Sequence, residues 1–185
     1  MKRPPAAADG IVEDFDVYPR MVQLVACLAE EFEASGLGVA CRSTIVPGLG
    51  VPFDFCGCDG DEDAGGEHCS GQLSVQLTSA YPTDDFPNAT TAATSCGSGM
   101  AYVLEVSATM CTQITADGDP PTAEQMLAES RFQLAQMAAM RRAILCCFPG
   151  RAGLSPRELV LGAYSPITTG DCIGSAWQVT ISGRS

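Results

Sequence analysis

Cys56, Cys58, His68 and Cys69 bring three thiols and the chain's one imidazole within fourteen residues, a donor set that tetrahedral Zn²⁺ takes. Zinc is the one cofactor this inventory suggests. The C-x-C pair and the adjacent His-Cys are spaced more tightly than the usual ligand pairs of structural zinc sites. The same residues therefore also read as disulfide formers, Cys56 or Cys58 with Cys69 or Cys96, closed after release from a reducing cytosol, or as free thiols. Cys27, Cys41, Cys146 and Cys111 read differently. Each suits a free thiol acting as a small buried hydrophobe.

Catalysis by a nucleophile is disfavoured, because a Ser-His-Asp or Cys-His mechanism would have to use His68, which sits in the acid- and glycine-rich stretch GDEDAGGEHCSG. No GxxxxGK[ST], GxGxxG or HExxH pattern occurs. The run Thr94-Ser95-Cys96-Gly97-Ser98-Gly99 does not satisfy GxSxG and reads as a glycine loop. Acids surround Cys56 to Cys69 without a cation, so nothing there would activate a thiolate. The chain reads as something other than an enzyme.

The elements that must position these residues follow from periodicity. Residues 1–15, rich in Pro, Ala and acids, read as a flexible tail, and residues 16–185 as one domain, long enough for a substantial core. A helix is predicted from Pro19 to Ser35, with Met21, Val25, Leu28 and Phe32 on one stripe, Leu24 beside it and Gly36 as its left-handed stop. Strands are predicted over 39–46, 72–79 and 100–114. Leu73, Val75 and Leu77 share a face, as do Met100, Tyr102, Leu104, Val106, Ala108 and Met110, which leaves the other side of the sheet to solvent. The connections 47–71 and 80–99 are long for a compact domain.

A second helix is announced by the capping-box spacing of Thr122 and Gln125 and runs to about Cys146, where Pro149 and Gly150 end it. Leu127, Leu134, Ala138 and Leu145 form one stripe and Met126, Met137, Met140 and Ile144 another, a broader apolar face than one sheet contact needs. Part of it is available to another subunit. Two further strands, around Leu159–Tyr164 and Ala176–Ile181, flank a turn cluster with Pro166, Gly170, Asp171 and Gly174. The fold class is α+β: a mostly antiparallel sheet of about five strands with two main helices, in the order α-β-β-β-α-β-β.

Charge divides the chain. Between Ser43 and Ser130 thirteen acids occur without one Lys or Arg, whereas from Arg131 onward six arginines face two acids. Such unlike patches suit a head-to-tail contact between copies, with Arg131, Arg141 and Arg142 at the joint and Asp59, Asp61, Glu62 and Asp63 left to line a bore. The competing reading keeps Arg141 and Arg142 at the negative end of their own helix and the acids as a solvated surface. DNA binding is disfavoured, because duplex affinity rests on clustered Lys and Arg. No apolar run is long enough to span a membrane, and the start MKRPPAAADG lacks a signal peptide's apolar stretch, so manufacture in a cytosol is expected.

The stretch GDCIGSAW followed by a closing strand resembles the C-termini of neck and tail-tube-end proteins of long-tailed, siphovirus-type bacteriophages of actinobacteria. The element order resembles that of the tail terminator in particular, an α+β protein of similar size, whereas stoppers are small β-barrels and portal-docking adaptors are mostly helical. The resemblance implies a structural virion protein made in the host cytoplasm. It would form a ring, hexameric in that family, between the major tail tube protein and the head-side connector, with DNA passing through unbound. Another neck protein, a head-to-tail connector or stopper, is the alternative within this class. A small metal-binding or redox domain around Cys56 to Cys69 is the alternative outside it.

Overall fold

The computed structural model describes residues 16–48, 71–90, 98–111, 122–169 and 172–183. Helix α1 (Val17–Ala34) leads into β1 (Arg42–Pro47), β2 (Gln72–Thr83) and β3 (Gly99–Cys111). Helix α2 (Ala123–Arg142) continues through a π turn, Ala143–Cys147, into the short α3 (Phe148–Ala152), and β4 (Leu159–Thr169) and β5 (Cys172–Ser182) close the fold. The five strands form one mixed sheet in the order β1-β2-β3-β5-β4, parallel only between β1 and β2. This is the α+β arrangement and element order that periodicity predicts.

Helix α1 forms as its stripe requires. Met21, Leu24, Cys27, Leu28 and Phe32 are buried against the sheet and the neighbouring helices. It ends in a Schellman motif: Gly36, at φ 68°, donates to the Glu33 carbonyl and Leu37 to that of Phe32. Leu37 is itself buried with Phe32 in the core, the apolar contact that accompanies such a cap.

The covered face of the sheet carries Leu73 and Val75 of β2, Leu104, Val106 and Ala108 of β3, and Val179 and Ile181 of β5. Gly71 and Gly174 allow close backbone approach to β3 from its two sides. A Cβ on Gly71 would lie 1.9 Å from the Thr109 carbonyl oxygen, and one on Gly174 would lie 2.2 Å from that of Ala108. The opposite face is expected to be solvated, and part of it is, with Gln178 and Val160 exposed and Glu105 half-buried, but its other end is not. Gln72, Ser74, Gln76, Ser107 and Thr109 are buried there, with Ser74 and Ser107 hydroxyls 2.6 Å apart and Gln72 donating to Thr44. Mutual hydrogen bonding lets a polar sheet face leave water without orphaned groups.

Three other expectations are corrected. Strand β2 continues past a register shift near residue 78 to Thr83, followed by a turn bridged from Asp85 to Asn88, so the predicted 80–99 connection begins as strand, and residues 91–97 of it lie outside the described residues. Pro149 and Gly150 do not end the second helix. The π turn opens a new helical start at which Pro149 fits, because its missing N–H is not needed there, and Gly153 at φ 65° supplies the stop. The predicted turn around Pro166 to Gly174 is mostly strand. Pro166 is tolerated because β4 is an edge strand, and β4 and β5 leave only residues 170 and 171 between them.

The cysteines also depart from the free-thiol expectation. Cys27 of α1 and Cys147 of the π turn form a disulfide with Cα atoms 5.8 Å apart, Cys41 is disulfide-bonded too, and Cys146 is a free but exposed thiol. Cys27 and Cys147 meet because the inward faces of the two helices abut there, at a separation that a disulfide spans without strain on the backbone.

Candidate functional site: the outer face of helix α2

Helix α2 starts on a capping box, in which the Gln125 N–H donates to Thr122 Oγ1 and the Thr122 N–H to Gln125 Oε1. Its inward row is Gln136, Ala139 and Met140, continued by Ala143 and Ile144 in the π turn. Gln136 accepts a hydrogen bond from the Ser175 hydroxyl of β5, which explains an amide at a buried position.

The stripe of Leu127, Leu134 and Leu145 stays outside, at 52%, 58% and 40% exposure, and Met126, at the start of the other stripe, is 55% exposed; these four are half of the large hydrophobic residues found exposed among the described residues. Scattered surface leucines are ordinary, but several in register along one helix mark a face made to be covered. At its C-terminal end Ala138, Arg141, Arg142, Leu145 and Cys146 line a shallow concavity of about 280 Å³.

The arginines divide. Arg142 is held within the chain: its Nε donates to Glu31 of α1 at 3.0 Å and its guanidinium to the Ser35 hydroxyl at 2.6 Å. Arg151 of α3 makes a two-pronged bond to Glu30, at 2.9 and 2.6 Å, and this carboxylate raises the Arg151 pKa. Arg131 and Arg141 are exposed and make no ion pair with another described residue. Of the three arginines assigned to a joint from sequence, two are thus unengaged beside an apolar stripe.

A cleft of about 400 Å³ at the far end of the sheet has no counterpart in the sequence reading. Thr83, Asp84, Phe86, Gly99, Glu158, Ser182 and Gly183 line it. Ser155 caps Glu158, its backbone N–H 2.7 Å from the carboxylate, and hydrogen bonds from Ser155 hold the Glu158 carboxyl below the usual glutamate range. Behind the cleft Arg20 pairs with Asp16 at 3.3 Å and donates to the Ser182 carbonyl. The only local signals in the sequence were the acids beside Phe86-Pro87 and the Ser155-x-x-Glu158 spacing.

Cys56, Cys58, His68 and Cys69, the proposed zinc ligands, and Asp59, Asp61, Glu62 and Asp63, the proposed bore acids, lie outside the described residues. Among the described residues no group of His, Cys, Asp and Glu is arranged to hold a metal, and no helix is long and apolar enough to cross a membrane. No family model matches the chain, and no curated protein matches it.

Proposed function

We propose that this chain is a structural protein of a bacteriophage neck, a tail terminator that closes the head-proximal end of the tail tube as a homo-oligomeric ring. The reading rests on the resemblance of GDCIGSAW and the α-β-β-β-α-β-β order, and one observation carries it. A helix with a well-formed cap and a buried inner row keeps a second apolar stripe, flanked by Arg131 and Arg141, in solvent on an acidic molecule. Such a face marks a surface that another molecule covers, and in a ring each subunit covers that of its neighbour. The ring would meet the tube on one side and the head-side connector on the other, and DNA would cross its bore without a binding site.

Sedimentation velocity and electron microscopy of the purified, oxidised chain test this. Annular particles of several copies are expected, and a strict monomer at every concentration, alone and with tail tube protein, would overturn it.

A further inference from the structure

We infer that the sheet-end cleft is the socket for Arg141 of a second copy, so that the ring closes by a head-to-tail contact between the α2 face of one subunit and the cleft of the next. The inference rests on the ring reading above and adds the partner surface to it.

The cleft has the chemistry of a guanidinium site. Asp84 is exposed at its edge, with no ion pair to another described residue. Glu158 adds a second carboxylate kept ionised by Ser155, and Phe86 an aromatic ring against which a planar cation stacks. Thr83, only 5% exposed, brings a hydroxyl without a hydrogen-bond partner. Arg20 does not fill the site, since Asp16 and the Ser182 carbonyl already engage it. An arginine fork supplies the several N–H donors that this set of acceptors calls for, where a lysine supplies a point charge.

Arg141 is the matching plug. It lines the concavity with Ala138 and Leu145 and is exposed, and the cleft has an apolar lining residue of its own in Phe86, followed by exposed Pro87. Arg131 stands ten residues, or about 15 Å, up the helix from that concavity. The two surfaces cannot meet within one chain. The cleft lies by Asp16 and Arg20 at the start of α1, and Arg141 follows at the other end of that helix, where Arg142 holds Glu31, about 20 Å away at 1.5 Å per residue. Unlike patches at opposite ends of a molecule join heterologously, and such contacts build rings when the rotation closes.

A charge exchange tests the pair. Asp84→Arg and Arg141→Glu, each with a wild-type melting curve, are expected to weaken self-association about tenfold or more in sedimentation velocity, and the double exchange to recover most of it. Cys146, beside Arg141, gives a second readout: alkylation should be slow in wild-type particles and fast in either single variant. If Arg141→Glu weakens assembly while Asp84→Arg does not, or if the double exchange recovers nothing, the cleft is not the socket, although the ring stands. A wild-type chain that never associates overturns both.

Discussion

Helices α1 and α2 each carry an apolar stripe and use it in opposite ways, α1 as a strongly amphipathic helix and α2 as a weakly amphipathic, more polar one. In α1 the apolar stripe is spent on the chain itself: Leu24, Cys27 and Leu28 have no exposed surface, and Glu30 and Glu31 on its flank are held by Arg151 and Arg142. In α2 and the π turn after it Leu127, Leu134 and Leu145 are left out, and the sheet is met by Gln136, Ala139 and Met140. Amphipathicity says that a face will be covered. It does not say by what, and the difference decides whether a residue serves stability or assembly.

The largest effect that bears on this contrast is expected at the bond joining the two helices. Removing the Cys27–Cys147 disulfide, which closes a separation of 120 residues, by Cys147→Ala should lower stability by roughly 4 to 5 kcal/mol on the loop-entropy estimate, read as a shift of the denaturation midpoint against the oxidised wild type. Next comes a matched pair of truncations. Leu28→Ala should cost about 2 to 5 kcal/mol of monomer stability, because it opens a cavity in a filled core. Leu134→Ala should stay within about 0.5 kcal/mol and show instead as weaker self-association. Equal losses from the two would erase the distinction. The smallest effect concerns the outer turns of α2, which lack buried neighbours before Gln136: Thr122→Ala should cost about 1 kcal/mol and speed hydrogen exchange at residues 123–131, leaving α1 unchanged.

Much of this architecture is legible from periodicity alone. The α1 stripe and the strand around Trp177 are read correctly because one period matches one buried face, whereas the alternation of β3 places its apolar face but not the burial of Ser107 and Thr109 on the other. The role of α2 is not, since its more apolar stripe is the exposed one and its inward row contains Gln136, whose partner Ser175 only the fold brings near. Cys27 and Cys147 are joined across almost the whole described chain, a pairing that spacing does not encode. The cleft escapes for the same reason, being assembled from the ends of β2, β3 and β5 and the residue before β4. Arg141, in the separate concavity on α2, is legible beforehand through charge.

The π turn between α2 and α3 has a consequence for how this protein varies. Phe148 reaches back five residues, to the Ala143 carbonyl, so the helix holds one residue more than an α-helix of that span. Because each residue turns an α-helix by about 100°, that surplus sets which way everything after it faces. It puts Cys147 toward Cys27 and Cys146 toward solvent. Substitutions along this stretch leave the bearing intact, whereas a deletion or insertion of one codon turns the bridging sulfur away from its mate. Across descendants of this gene, residue count here should be kept more strictly than residue type.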